Sequence, residues 1–225
     1  MRLMFVLLML WGLMNPSLGT LTQTTAPVSL FNGYSLLGVP REMLKQIAIS
    51  TAQTILNTGA DANVDKDLRE LLVDASNWHY PLEPHVTTKY WGSTMPVDPQ
   101  EIQEYKAFKE DIKTSIRFPV VCYAVGGLSA MPAFMDKTQT PQSNRFPHTT
   151  VVTGSLAAQY SNDLISVLYD QEPEFAQNYE TEFNQTSQIV YKYTVTINKQ
   201  QFTAYVVVLP SVLWTNGSTR RFYIS

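Results

Sequence analysis

One short stretch occurs twice, and it constrains the fold more than any other feature of the chain. Pro84-His85-Val86-Thr87, followed by Gly92, recurs as Pro147-His148-Thr149-Thr150, followed by Gly154. Two of the three histidines sit in this Pro-His-x-Thr setting. A chain that repeats such a stretch is expected to have two comparable halves, each presenting one imidazole.

Both copies fall in segments that read as strands. His85, Thr87 and Lys89 alternate with Val86, Thr88 and Tyr90, and the second run extends from about His148 to Thr153. Around them, Val28 to Val39 is apolar, with Asn32-Gly33 a candidate turn and 34–39 the best first strand. Pro40 opens a helix whose apolar positions Leu44, Ile47, Ala48, Thr51, Ala52 and Ile55 keep helical spacing to Leu56. A second short helix is expected over 65–76, and a third from Val97-Asp98-Pro99 to about Thr114. Phe118 to Val125 reads as a strand, 132–141 as a loop and 156–169 as a helix. The acidic segment 170–185 reads as a surface excursion. Ile189–Ile197 and Phe202–Leu209 form a hairpin around 198–201, and 221–224 adds a last strand. The order is α+β with two similar halves.

Residues 1–19 are set apart. Arg2 precedes the apolar run Leu3–Met14, and Ser17-Leu18-Gly19 supplies small residues for cleavage, the pattern of a secretory signal. The run is too short to span a bilayer, and no later segment is long and apolar enough to do so. The mature chain is then residues 20–225, a single domain with two lobes, secreted or lumenal and expected to be a monomer. Removing Arg2 lowers the basic count from 16 to 15 against 19 acidic residues, a formal charge of -4. That balance opposes binding along a nucleic-acid duplex, which needs a broad basic footprint, and leaves a nucleotide or a short strand end compatible. Cys122 is the only cysteine, so no intramolecular disulfide forms and the core alone holds the fold. Its apolar neighbours make it a buried hydrophobe, not a nucleophile. Asn184-Gln185-Thr186 and Asn216-Gly217-Ser218 are glycosylation sequons.

If the two motif strands lie side by side, two imidazoles and two hydroxyls converge. One neutral histidine can take a proton from water or a ribose hydroxyl while the other, protonated, gives one to a leaving oxygen. Thr87 and Thr150 can donate to the non-bridging oxygens of a phosphoryl group, where charge grows. This chemistry needs neither metal nor cofactor.

The paired His-x-Thr motifs, with Phe146-Pro147 before the second, resemble those of the two-histidine (2H) phosphoesterase superfamily, LigT-like and cyclic phosphodiesterase proteins. The resemblance implies a bilobal α+β fold, with two pseudo-symmetric antiparallel sheets and outer helices around a central cleft. It implies a metal-independent phosphodiesterase acting on 2',3'-cyclic phosphates or 2'-5' linkages at nucleotide or RNA ends. His85 and His148 would be catalytic, and Thr87 and Thr150 substrate-binding. Two departures stand out. Thr88 occupies a position that is usually aliphatic, and a secretory signal is unusual for enzymes whose usual substrates are intracellular RNAs.

Two other readings stay open. A catalytically silent module of the same fold would bind nucleotide or protein through the cleft. A zinc hydrolase would use His79, His85 and His148 with Glu83 nearby, although His79 otherwise reads as structural or exposed. Lys89, Arg145 and Tyr90 are candidates to flank a phosphate, and Trp78, Tyr80 and Trp91 to stack on a base. Each has an alternative as core or solvated surface.

Overall fold

The computed structural model describes residues 29–59, 62–74, 78–91, 96–124, 126–136, 143–186, 188–197 and 199–223. The expected signal segment and Gly92 lie outside them. Strand β1 (Ser29–Leu37) starts earlier than expected and runs through Asn32-Gly33, which does not turn. Pro40 precedes α1 (Arg41–Asn57), whose Leu44, Ala48, Thr51, Ala52 and Ile55 are buried at the spacing the sequence predicts. Helix α2 (Ala62–Val73) follows. Motif strand β2 (His85–Tyr90) comes next.

Helix α3 (Pro99–Ala107) is capped by Asp98, whose carboxylate accepts from Gln100 N and Glu101 N at 2.8 and 3.1 Å. It ends well before Thr114. The chain reverses at Asp111, with φ of 63°, and β3 (Lys113–Ala124) begins where more helix was expected. Strands β4 (Leu128–Pro132), β5 (Phe134–Met135) and the second motif strand β6 (His148–Val152) follow. After them come α4 (Tyr160–Gln171) and α5 (Pro173–Glu180). The acidic segment is thus no surface excursion. Phe175 and Tyr179, one helical turn apart, point into the core and draw α5 onto the sheet. Strand β7 (Val190–Ile197) pairs with β8 (Gln200–Tyr223), a single long strand that absorbs both the hairpin arm and the expected last strand.

The fold class is α+β, built on one large antiparallel sheet with five helices among the described residues. In place of two separate sheets, the eight strands join as β2-β1-β8-β3-β4-β6, with β5 on β3 and β7 on β8. The joining elements are β3 and β8, which pair along both halves. Their ladder breaks between Phe118 and Val120, at Pro119, which has no N–H to donate. On one side of that break β8 pairs with β1, and on the other with β7.

Each face of the sheet carries a core. Tyr34, Val86, Ile116, Phe118, Val121, Tyr123, Met131 and Val151 pack with Leu44, Ile55, Leu68 and Leu71 of α1 and α2. On the other face Cys122, Ala130 and Val206 pack with Leu164, Leu168, Phe175 and Tyr179 of α4 and α5. Cys122 is fully buried, and burial pushes its thiol far above the usual range, as expected of a hydrophobe. No helix among the described residues is long and apolar enough to cross a membrane.

Candidate active site

The motif strands β2 and β6 occupy the two ends of the strand order, yet they lie beside one another. The link is the segment that leads into the second motif. Ser143 N and Asn144 N donate to Thr88 O at 3.1 and 3.0 Å, and Asn144 Nδ2 donates to Thr87 O at 3.2 Å. Asn144 Oδ1 also accepts from Phe146 N at 3.2 Å. One asparagine therefore spans from the first motif to the residue whose carbonyl orients the second imidazole.

The two half-sites are built alike. His85 Nδ1 lies 2.8 Å from Glu83 O, and His148 Nδ1 lies 2.8 Å from Phe146 O. A carbonyl only accepts, so Nδ1 carries the hydrogen in both rings and Nε2 is left for chemistry. The intervening prolines explain the geometry. Residues preceding proline favour extended backbone, which sets the carbonyls of Glu83 and Phe146. The proline carbonyls anchor each motif to its neighbour in the sheet: Leu36 N donates to Pro84 O at 3.1 Å and Ala133 N to Pro147 O at 2.8 Å.

The likeness extends past the threonines. In the β1–β2 pair Gly33 opposes Thr87 while Asn32 opposes Lys89, so Thr88 is an extra residue. In the β4–β6 pair Ala130 opposes Thr150 while Ser129 opposes Val152, so Val151 is extra. Both motif strands bulge at the residue after the threonine. The unexpected Thr88 is accommodated there, buried, with its hydroxyl donating to Asn32 O at 3.1 Å. The bulge also ends the simple alternation, and Lys89 pairs with Glu101 and Glu104 of α3 at 3.2 and 3.8 Å.

His85 and Thr87 are half-buried on the face of β2 opposite Val86, which is fully buried. His148 and Thr150 are likewise half-buried, and Thr149 and Val151 are buried behind them. The adjacent strands bring the two imidazoles close enough for charge on one to disfavour charge on the other. Burial holds His85 below the ordinary imidazole value, against the opposing pull of the Glu83 carbonyl and carboxylate. Burial also lowers His148. The Phe146 carbonyl opposes that shift, and repulsion from a charged His85 adds to it. Each charge disfavours the other, so the pair holds a single proton more readily than two.

The threonines differ. Thr150 Oγ1 is 3.0 Å from Ser161 Oγ, a fully buried hydroxyl in the first turn of α4. If Ser161 donates, the Thr150 hydrogen remains free for a ligand.

The other candidate residues take the following places. His79 is exposed, and its backbone pairs with Thr153 at 2.9 Å, five residues along β6 from His148 and about 17 Å away at strand rise. It joins a different pocket, of about 760 Å³, with Asp67 and Trp78. The three nitrogens of the zinc reading do not converge, and no group of metal-binding residues exists among the described residues. Trp78 is structural: a Cβ on Gly127 or Gly154 would overlap its ring, which explains the glycine that follows the second motif. Tyr80 is buried, and Trp91 sits edge-on to Tyr105 at 5.4 Å. Arg145 pairs with Asp170 at 3.2 Å and lies over Phe146 and Tyr169. Tyr90 is exposed.

The sequence reading missed the groups that buttress His85. Its ring lies 4.7 Å from Phe31 and 4.9 Å from Phe222, which stack on each other at 4.6 Å. Glu83, whose carbonyl holds His85, is itself bound by Arg220 and by Ser35 Oγ.

No protein-family model matches the chain, and no curated protein matches it. Among solved structures it is similar to one described as the crystal structure of a fungal RNA kinase, at 13% identity and a TM-score of 0.46. The match covers 89% of this chain and 47% of that one, so the chain spans about half of that structure's length. A likeness this loose assigns neither fold nor activity.

Proposed function

We propose that the chain is a metal-independent phosphodiesterase of the two-histidine type, acting on a 2',3'-cyclic phosphate or 2'-5' linkage at a nucleotide or RNA end. One observation carries the reading: two half-sites with the same Nδ1-to-carbonyl bond, each leaving Nε2 of a motif histidine available beside a threonine. A structural histidine has no reason to be duplicated with its proline, carbonyl partner and bulge.

The mechanism follows from the proton count. A phosphodiester is anionic and stabilises one imidazolium, while burial and mutual repulsion oppose the second. The bound pair then holds one acid and one base. The neutral histidine takes a proton from water through Nε2 as the water oxygen attacks phosphorus. The P–O bond to the leaving ribose oxygen breaks, and the second histidine delivers its proton to that oxygen. The Thr87 and Thr150 hydroxyls donate to the non-bridging oxygens. The histidines exchange roles in the reverse direction. With the leader over residues 1–19, the enzyme is secreted or lumenal and acts as a monomer.

The test uses purified protein, EDTA, 2',3'-cyclic nucleotides and short 2'-5' and 3'-5' oligonucleotides. His85→Ala and His148→Ala are each expected to lower kcat by about 10²- to 10⁴-fold without changing the fold. Turnover that survives both substitutions sinks the mechanism. Binding without turnover on every substrate would instead make the chain a silent module.

A further inference from the structure

The sheet register carries the His85 face away from the motif. His85 opposes Ser35, Ser35 opposes Ser218, and Ser218 opposes Lys113, so these four side chains share one face. The next row on that face holds Leu37, Asn216 and Ser115, and the one beyond it Trp214 and Arg117. The reverse face of the same strands is core, with Ile116 fully buried and Thr114, Thr215 and Gly217 buried between. Helices α1 and α2 pack on that reverse face. The His85 face stays open there: Leu37 is 46% and Trp214 61% exposed, although Trp214 sits on an inner strand paired to Arg117. Leu37 and Trp214 thus leave apolar surface open on the same face as His85.

Beside Trp214 is a cavity of about 440 Å³, bounded also by Ser115, Arg117, Phe134, Met135 and Glu182. Its polar floor is paired internally. Arg117 is 8% exposed, donates to Glu182 Oε2 at 2.8 Å and to Asn184 Oδ1 at 3.0 Å, and lies 5.5 Å from the centre of the Phe134 ring. An exposed aromatic face with apolar neighbours and a fixed polar rim suits a flat, hydrogen-bonding heterocycle. Two strand spacings and four residues of strand rise put Trp214 about 17 Å from His85, beyond the reach of one nucleotide held at the histidines. Lys113 lies in the row of His85, three strands away, to one side of the line from His85 to Trp214.

We propose that this cavity is a distal nucleobase subsite, with Trp214 as the stacking ring, and that the substrate is an oligonucleotide whose body lies across β1, β8 and β3, a path that requires Asn216 to carry no glycan. The inference rests on the phosphodiesterase reading for its reacting end. Its occupant is a nucleic-acid strand, not a protein, because the face is continuous with the phosphate-handling histidines.

The test compares wild type, Trp214→Ala and Trp214→Phe on a 2',3'-cyclic mononucleotide and on tri- and tetranucleotides bearing the same cyclic end. The ratio of kcat/KM for the tetranucleotide over the mononucleotide is expected to fall about tenfold in Trp214→Ala, through KM, and to recover partly in Trp214→Phe. A ratio unchanged by either variant overturns the proposal. A second arm separates it from the reaction itself. Tryptophan fluorescence of the His85→Ala/His148→Ala protein is titrated with the tetranucleotide. Saturable quenching that disappears with Trp214→Ala supports the subsite even if no substrate is ever turned over, and absence of quenching overturns it. Sedimentation of both proteins supplies the last outcome. A dimer that Trp214→Ala dissociates, with oligonucleotide kinetics unaltered, assigns the face to self-association and overturns the proposal.

Discussion

At the residue, the decisive property of His85 and His148 is that burial lowers both and their charges repel. In the free protein the state with one proton shared by the pair is populated below the ordinary imidazole range. The profile of kcat/KM against pH is therefore expected to be a bell centred below 6.5, and that of kcat to lie at higher pH, because bound phosphate favours the imidazolium. A kcat/KM optimum above 7 would contradict the depressed pair. Stability has the matching sign. The unfolded chain binds these protons more tightly, so the histidines' contribution is complete above 6.5 and is lost as pH falls through their folded values. Inorganic phosphate should oppose that loss. The residues legible in the sequence were those whose meaning is local: the Pro-His-x-Thr words name their own geometry, since the proline sets the carbonyl and strand periodicity sets the hydroxyl. Lys89 and Arg145 stayed open because a cation near a motif in sequence takes whichever carboxylate the fold supplies, here Glu101 and Asp170. Phe31, Phe222 and Asn144 were invisible for the opposite reason. They reach the histidines only through strand pairing and chain crossing.

At the level of elements, each motif strand is set by its bulge and by close approach of its neighbour. Gly33 opposes Thr87 at the first bulge, and a Cβ there would lie 2.4 Å from Val86 O, a backbone atom that cannot swing aside. Gly33→Ala must push β2 away from β1, moving His85 and Thr87 together. It is expected to cost about 1–3 kcal/mol in denaturant unfolding and to lower kcat at saturating substrate. Wild-type stability and activity in that variant would show that β2 is not held by this approach. Asn32-Gly33 looked like a turn because the pair favours one. The sequence carries no mark that the glycine serves a neighbouring backbone instead. Helix α1 was legible because its apolar spacing and its opening proline agree. Helix α5 was not, because only Phe175 and Tyr179 turn inward and acids surround them.

At the level of the whole molecule, the family resemblance implied two sheets, and the strands form one. Pro210 interrupts β8, which read as two shorter strands, and the first residues of β3 read as the end of a helix. That difference has a thermodynamic consequence. β3 and β8 belong to both halves, and the core beneath α1 and α2 mixes Tyr34 and Val86 from one half with Met131 and Val151 from the other. Neither half can lose its packing without exposing apolar surface in its neighbour, so the halves should unfold together. Leu168→Ala tests this from a distance. Leu168 of α4 is fully buried, in the core on the opposite face from Val86, and its truncation is expected to cost about 2–5 kcal/mol. If the sheet is one cooperative unit, amide exchange in the slowest core of β1 and β2 accelerates by the same factor as in β4 and β6, and thermal unfolding remains a single transition at lower temperature. Acceleration confined to β4, β6 and β7 would mean that the lobes open independently. Cooperativity also bears on catalysis. In the proposed mechanism the two imidazoles share one phosphoryl group, and a joined sheet limits changes in their separation more than two hinged lobes would.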